Sequence, residues 1–274
     1  MTNAETVSRK RQGKDRFMKI QNDSGIRYLS FGSGAKTMVV VPGLSLSFVT
    51  DNAQLLEKNF ASFTDDFTVY VFDVKEDVSA GYSLFQMGDD LAAAMQYLGL
   101  RDIYMLGCSM GGMESICVAG RYPELVKKMV VAASSCKANP HSDCVFSNWI
   151  KLAKDGNYRE LTDDMGRKIY SKAVYEANRE TFREMADGLT ERLLSRFIHC
   201  ASAMVDADIT AEASAVKCPI LVVGSLGDEV MTAEASAQIA EITGNELFLY
   251  GKEFPHAVYD EAPDFLERVR TFFA

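Results

Sequence analysis

The stretch from Gly107 to Gly112 constrains the fold of this chain more than any other part of its sequence. It reads Gly-Cys-Ser-Met-Gly-Gly, follows the apolar run 103–106 and precedes a helix-compatible run, 113–120. This pattern predicts a strand, a sharp turn with Ser109 at its apex, and a helix. Strand and helix then lie so close that only hydrogen fits at Gly107 and Gly111. The turn would lift the Ser109 hydroxyl clear of its own backbone, as a nucleophile requires.

Strands and amphipathic helices alternate on both sides of this turn. The run 38–41 is continuously apolar and the runs 67–74, 126–133 and 219–223 are mostly apolar, which is typical of strands buried on both faces of a parallel sheet. The alternation stops between about 137 and 213, where the pattern is helical and aromatic. We therefore predict a mostly parallel α/β core at 17–136 and 214–274, a helical lid inserted at 137–213, and a flexible basic leader at 1–16.

Two helix starts carry the sequence pattern of a capping box, in which a first residue and one three positions later cap each other. Ser83 with Gln86 predicts one helix start, and Asp51 with Gln54 predicts another. In the second helix we expect Leu55, Leu56 and Phe60 to point inward.

Composition limits the functional classes. The 274 residues are 47% hydrophobic and carry a net charge of −9, and no apolar run approaches the roughly 20 residues of a membrane span. An acidic body argues against nucleic-acid partners, and no apolar segment follows the basic N-terminus as in a signal peptide. We expect a cytoplasmic protein that acts on a small molecule and has neither a nucleic-acid nor a membrane partner.

The cysteines indicate neither a metal site nor disulfides. All six lack a C-x-x-C spacing and have no histidine at metal-ligand spacing, which is typical of free thiols in a reducing compartment. We therefore expect no metal site.

Three polar residues follow predicted strands at the sheet edge where α/β proteins collect functional groups. They are Ser109, Asp228 and His256, and their order suits a Ser-His-Asp triad built on such a sheet. His256 would accept the Ser109 proton, Asp228 would fix the imidazole tautomer, and the backbone N–H groups of Leu44 and Met110 would form an oxyanion hole.

Each assignment has a rival. The motif alone occurs by chance in about one chain in ten of this length, so the partners decide. Glu229, beside Asp228, competes for the role of the acid, and Cys108 competes as a thiol nucleophile, although a residue before the apex should point into the structure. His141 and His199 lie in the predicted lid and are expected to be structural or solvated.

Nearly the whole chain from Phe17 resembles the lid-bearing α/β-hydrolase fold. The matching motifs are Pro42-Gly43-Leu44, Asp89-Asp90-Leu91, Gly107–Gly112, Arg121-Tyr122-Pro123-Glu124, Gly227-Asp228 and His256. The resemblance implies a mostly parallel eight-stranded sheet with helices on both faces, an inserted helical lid, and a serine hydrolase without a cofactor. The chain departs from the usual pattern at Pro42, at Cys108 and in the 73–77 loop.

The expected reaction is hydrolysis of a carboxylic ester or lactone of a small, largely apolar substrate through an acyl-Ser109 intermediate. An acyltransferase, a carbon–carbon bond hydrolase and a non-catalytic small-molecule receptor are alternatives on the same framework. An aspartate-nucleophile enzyme is disfavoured because a serine occupies the apex. The lid aromatics Trp149 and Phe146 are expected to line the acyl pocket.

Overall fold

A single mixed sheet runs through the part of the chain that the structure, a computed structural model, describes: residues 18–19 and 25–274. The predicted leader, 1–16, lies outside the described residues. In chain order the strands are β1 (Met18–Lys19), β2 (Arg27–Phe31), β3 (Lys36–Val41), β4 (Phe67–Phe72), β5 (Ile103–Cys108), β6 (Val126–Ala132), β7 (Ile220–Ser225) and β8 (Glu246–Tyr250). They lie in the order β1-β2-β4-β3-β5-β6-β7-β8. Only the β1–β2 and β2–β4 pairings are antiparallel.

Helices cover both faces of this sheet. They are α1 (Ala53–Asn59), α2 (Leu84–Tyr97), α3 (Met110–Arg121), α4 (Pro140–Lys154), α5 (Tyr158–Ile169), α6 (Lys172–Ala177), α7 (Arg179–Asp187), α8 (Glu191–Ser202), α9 (Thr210–Ala215), α10 (Ala233–Thr243), α11 (Val258–Glu261) and α12 (Phe265–Phe273). None of the helices in the described residues is long and apolar enough to cross a membrane. The prediction of a mostly parallel sheet with helices on both faces is confirmed.

Side chains alternate between two apolar clusters because successive strand residues point to opposite faces. Along β3, Val39 and Val41 enter one cluster, whereas Met38 and Val40 enter the other. All four are buried, as the continuous apolar run predicts for a strand covered on both sides.

The segment between β6 and β7 contains helices and no named strand within the described chain. We call α4 to α8, residues 140–202, the inserted helices. Many of their buried side chains, including Phe146, Trp149 and Phe197, belong to the same apolar cluster as one face of the sheet. A short bridge pairs Lys137 with Asp208 and so brings the two ends of the segment together. The inserted helices therefore share a core with the sheet.

The two predicted capping boxes have different outcomes. The Ser83–Gln86 box is confirmed, since the Gln86 N–H donates to Ser83 Oγ at 3.3 Å and the Ser83 N–H donates to Gln86 Oε1 at 3.0 Å. The Asp51 prediction is wrong: a 3₁₀ turn, Val49–Asn52, precedes α1, and Leu55 is 56% exposed.

The physical reason lies outside the helix. Asp73, just after β4, accepts the Val49 N–H at 2.8 Å and the Thr50 N–H at 3.1 Å. Its carboxylate also accepts the Thr50 hydroxyl at 2.5 Å. A side chain more than 20 residues away thus caps this turn, so the local sequence pattern does not operate.

Candidate active site

The turn after β5 holds Ser109 in a strained conformation. Its φ of 54° and ψ of −123° are rare for a residue with a side chain. A Cβ atom at Gly107 would lie 2.4 Å from Ser115 Oγ, and one at Gly111 would lie 2.1 Å from the Val41 carbonyl oxygen. The backbone is fixed from outside, since the Ser109 N–H donates to the Ala132 oxygen at 2.8 Å. Strain and close packing together aim the hydroxyl away from the sheet.

Three loops at the carboxyl edge of the sheet bring Ser109, His256 and Asp228 into one hydrogen-bonded chain. Ser109 Oγ lies 3.0 Å from His256 Nε2, and His256 Nδ1 lies 3.0 and 2.9 Å from the two oxygens of Asp228. The loops follow β5, β8 and β7 respectively. With the carboxylate beside Nδ1, the network assigns the proton to Nδ1 and leaves Nε2 free to accept the Ser109 proton.

The Asp228 carboxylate is stabilised in its ionised form. Burial opposes ionisation, but His256 and the hydrogen bonds outweigh burial and keep the pKa of Asp228 below its usual value. Asp228 Oδ1 accepts the N–H groups of Val230 and Met231 at 2.8 and 3.0 Å, which fixes the side chain. Glu229, the rival acid, is exposed and makes no side-chain contact with His256 within the described chain.

The backbone N–H groups of Leu44 and Met110 belong to residues next to the site: Met110 follows Ser109, and Leu44 follows Gly43, which packs against Ser109. Met110 begins α3 directly after Ser109, and Gly43, beside Leu44, would place a Cβ 3.5 Å from Ser109 Oγ. Neither N–H has a hydrogen-bond acceptor among residues 18–19 and 25–274. Unused donors at this place are what an oxyanion hole needs.

An arginine from the inserted helices supports the loop that carries Leu44. Arg196 in α8 is 5% exposed, and its Nη2 donates to the Ser47 oxygen at 2.7 Å and the Ser45 oxygen at 3.4 Å. The guanidinium also lies 4.0 Å from the centre of the Phe48 ring. Its Nε has no partner among the described residues. Arg196 thus ties an inserted helix to the 42–48 loop.

Two further contacts tie the inserted helices to the other site loops. His141 Nε2 lies 2.8 Å from the Glu229 carbonyl oxygen, next to Asp228. The Ala257 N–H, next to His256, donates to the Ile169 oxygen at 2.8 Å. The loops that carry Asp228 and His256 are therefore each hydrogen-bonded to the segment 140–202, whereas the turn that carries Ser109 is hydrogen-bonded to the sheet.

Two cavities lie beside the loop 42–45, on opposite faces of the sheet. The smaller, about 20 Å³, has room for about one water and is lined by Met110, Glu114 and Arg196, among others. The larger, about 490 Å³, is lined by the same loop, by Cys108 and Tyr170, and by six residues of α11, α12 and their link: Tyr259, Asp260, Ala262, Pro263, Phe265 and Leu266. A substrate of several heavy atoms fits only the larger one.

Glu114 is a buried carboxyl group that was not among the residues predicted to be functional. It lies in α3, is 4% exposed and lines the small cavity. No hydrogen bond or ion pair reaches its carboxyl group from the described residues. Burial, with a smaller contribution from Asp90, raises the pKa of Glu114 to about 8. The group is therefore mostly protonated at neutral pH.

The predicted pocket residues Trp149 and Phe146 are buried in the apolar cluster that also contains Met110. Each is 2% exposed, and their rings pack edge to face with centroids 5.6 Å apart. The Trp149 indole donates to Asp164 Oδ2 at 2.8 Å. Neither residue lines either of the two cavities beside the loop 42–45.

Cys108 and His199, two further residues considered from the sequence, do not take part in the hydrogen-bonded chain. Burial raises the pKa of the Cys108 thiol, which makes it a poor nucleophile. His199 lies half-buried in α8 and makes no side-chain hydrogen bond within the described part of the chain. No three His, Cys, Asp or Glu side chains in that part come together as metal ligands.

Comparison with known proteins agrees with this architecture. The family model described as the alpha/beta hydrolase fold matches residues 36–263. The chain belongs to this family. A crystal structure of the enol-lactonase from Burkholderia xenovorans superposes with a TM-score of 0.78 at 19% identity, covering 90% of this chain and 96% of that one. The alpha/beta hydrolase MGS-M2 from a deep-sea metagenome library gives 0.80 at 21% identity, covering 90% and 94%.

Two curated relatives are similar in sequence. The 3-oxoadipate enol-lactonase 2 of Acinetobacter baylyi is 20% identical over 215 residues, which is 77% of this chain and 78% of that protein. A putative carbamate hydrolase of Stutzerimonas stutzeri is 26% identical over 192 residues, 66% and 71% of the two chains. The chain is therefore an α/β hydrolase, and its relatives at low identity include an enol-lactonase and a putative carbamate hydrolase.

Sequence reasoning missed three charged groups around the site: Arg196, Glu114 and Asp260. Arg196 and Glu114 each stand within the apolar stripe of a helix. The stripe around Arg196 consists of Leu193, Phe197 and Cys200. The stripe around Glu114 includes Met113 and Cys117. A charge inside such a stripe is a usable signal of a buried ionisable group. Asp260 gives a weaker signal, one helical turn after His256.

Proposed function

We propose that this protein hydrolyses a carboxylic ester or lactone of a small substrate through an acyl-Ser109 intermediate. The observation that carries the proposal is the continuous hydrogen-bond chain from Ser109 Oγ to His256 Nε2 at 3.0 Å and from His256 Nδ1 to Asp228 at 2.9 Å. A binding protein has no need of a base-activated serine. The site therefore supports a catalytic function better than ligand binding without turnover.

The proposed reaction has two halves. Ser109 Oγ attacks the substrate carbonyl carbon while His256 Nε2 accepts the hydroxyl proton, and the N–H groups of Leu44 and Met110 bind the negative oxygen that forms. The carbon–oxygen bond to the leaving group then breaks, and His256 returns the proton to the departing oxygen. Water repeats the sequence on the acyl-serine: His256 takes a water proton, the carboxylic acid leaves, and Ser109 regains its proton.

The relatives support an acyl-group substrate without identifying it. An enol-lactonase opens a cyclic ester, and a carbamate hydrolase would attack the carbonyl carbon of a carbamate. In both cases a nucleophile adds to a carbonyl group, which the arrangement around Ser109 suits. Low identity leaves the acyl and leaving groups to experiment, so the substrate panel should contain esters, lactones and carbamates.

A fluorophosphonate probe tests the assignment of the nucleophile directly. We expect mass spectrometry to locate the label on Ser109, and we expect Ser109→Ala to remove both labelling and ester hydrolysis. Cys108→Ala is the matched control one residue away and should keep the label. A label on Cys108, or no label on a folded protein, contradicts the proposal.

Product analysis separates the alternatives on the same site. With p-nitrophenyl esters and an added alcohol, a hydrolase releases mainly the free acid, whereas an acyltransferase forms mainly the new ester. A protein that binds these esters without releasing p-nitrophenol is a receptor, and that result overturns the proposal.

A further inference from the structure

The larger cavity carries polar groups that the protein itself leaves unused. The side chains of Tyr170, Tyr259 and Asp260 line it together. Among the described residues no hydrogen bond reaches either tyrosine hydroxyl, and no hydrogen bond or ion pair reaches the Asp260 carboxylate. Asp260 is exposed and the two tyrosines are half-buried, so all three groups are open to a ligand that enters the cavity.

The charge on the cavity wall has one sign. Asp260 is the only lining residue within the described chain with a formal charge, and that lining includes no lysine, arginine or histidine. Its electrostatic neighbours are Glu261, which opposes its ionisation, and His256, which favours it. Glu261 is itself occupied, since its Oε1 accepts the Ser171 N–H at 2.8 Å. A negative group without a protein counter-charge favours a positively charged ligand.

The aromatic rings add to this preference. Tyr170 directly follows α5 and Tyr259 lies in α11, so the two come from different parts of the chain and meet at one cavity. Burial raises the pKa of the Tyr170 hydroxyl to about 12 and raises that of Tyr259 well above its usual value, which keeps both rings neutral. Neutral aromatic faces attract ammonium groups through their negative π-systems.

The cavity is next to the reacting atoms. It is bounded by the loop 42–45 and by Cys108, the residue before Ser109, and the Tyr259 ring lies 6.3 Å from the His256 ring, centre to centre. The Asp260 side chain is exposed at the cavity, and the nearby protein together with Glu261 raises its pKa to about 6. The carboxyl group is therefore mostly ionised at pH 7 to 8.

From these contacts, and resting on the proposed hydrolase function, we infer that Tyr170, Tyr259 and Asp260 form a subsite for an ammonium group and that the substrate is an ester carrying one. The rest of the cavity wall, which includes Val40, Phe60, Leu106 and Phe265, is apolar and suits the methyl and methylene groups around such a cation. The subsite would place the cationic end of the substrate and leave the ester carbonyl at Ser109.

Matched ester pairs test the preference in each half of the substrate. On the alcohol side, butyrylcholine is compared with 3,3-dimethylbutyl butyrate, which has the same shape without the charge. On the acyl side, the p-nitrophenyl ester of 4-(trimethylammonio)butyrate is compared with that of 5,5-dimethylhexanoate. We expect kcat/KM to favour the cationic member of at least one pair about tenfold, as one desolvated cation contact allows.

Variants assign the preference to the subsite. Asp260→Asn should bring the cationic-to-neutral ratio close to one, and Asp260→Glu should restore most of it. Glu241→Gln is the matched control, since Glu241 is exposed in α10 and its substitution removes the same charge from the protein as a whole. A preference that survives Asp260→Asn, or is lost equally in Glu241→Gln, overturns the inference, as does a preference for neutral or anionic esters.

Binding gives a readout that does not depend on turnover. Calorimetric titration of the Ser109→Ala protein with phenyltrimethylammonium should show binding that Asp260→Asn in the same background weakens at least tenfold. Binding here together with an absence of hydrolysis in the active chain would contradict the proposed function and support the subsite. Hydrolysis of neutral esters with no cation binding would do the reverse.

Discussion

The loops at the carboxyl edge of the sheet and the inserted helices contribute differently to the site. The loops carry the groups that would react, Ser109, His256 and Asp228, in one hydrogen-bonded chain. The inserted helices carry groups that hydrogen-bond to the loops around the site. Arg196 contacts the 42–48 loop, His141 contacts the backbone next to Asp228, and Ile169 contacts the backbone next to His256. Chemistry and positioning are therefore divided between the two regions, although they share one apolar core.

The largest effect should come from the sheet side, at Asp228. Asp228→Asn should lower kcat about 10⁴-fold, because an amide presents the wrong partner to His256 Nδ1. The free energy of unfolding should change little, since Asn Oδ1 can still accept the Val230 and Met231 N–H groups. Steady-state kinetics and urea unfolding measure the two quantities. Glu229→Gln is the neighbouring control, and equal losses of kcat in both variants would show that the acid is misassigned.

The next effect lies in the inserted helices and concerns stability. Trp149→Ala should lower the free energy of unfolding by about 3–5 kcal/mol, since it empties a fully buried site and removes the hydrogen bond to Asp164. Tyr97→Ala, at an aromatic residue 55% exposed, should cost less than about 0.5 kcal/mol. If Trp149→Ala instead alters the acyl chain-length profile at unchanged stability, Trp149 lines the substrate pocket and the division between the regions is wrong.

A pH effect should come from Glu114, which faces the inserted helices from the sheet side. Its pKa is about 8 in the folded chain against an ordinary value of 4.5, so the folded state binds more protons between these values. Stability should therefore fall as pH rises from about 5 to 8, by up to about 3 kcal/mol from this residue. Glu114→Gln should flatten that fall in urea unfolding at several pH values. A slope unchanged by the substitution would mean that Glu114 ionises normally.

The smallest effect tests the bridge between the regions. Arg196→Met should lower kcat about 10- to 100-fold while KM changes less, because the 42–48 loop loses the donor to Ser45 and Ser47 and the oxyanion donor shifts. Arg192→Met is the control one turn earlier in α8, where the arginine pairs with exposed Asp77 and with Glu76. Its kcat should stay within about twofold. Similar losses in both variants would mean that charge near the site matters and loop support does not.

Local patterns predicted the features that local physics determines. The turn around Ser109 follows from glycines within four residues, and the Ser83–Gln86 box caps α2 because both partners lie in the same turn. The order of strands and polar loop residues then placed Ser109, Asp228 and His256 at one edge of the sheet. Parallel strands make that inference possible, since their carboxyl ends share an edge.

Features that depend on distant partners could not be read from sequence. The start of α1 is set by Asp73, which lies more than 20 residues beyond the turn it caps. Trp149 and Phe146 carry an aromatic pattern that suits either a pocket or a core, and only the packing of α4 against its neighbours places them in the core. The cavity with Asp260 depends on three elements meeting in space.

The strained backbone at Ser109 creates a trade-off between the activity of this chain and its stability. Only glycine adopts a φ of 54° with a ψ of −123° at low cost, so Ser109→Gly would relieve about 1 kcal/mol of strain while removing the hydroxyl group. Selection for thermal robustness alone would thus reward loss of the nucleophile. A directed-evolution library of this protein that is screened only for folding should accumulate inactive variants at this position. A screen for more stable variants should therefore also select for activity.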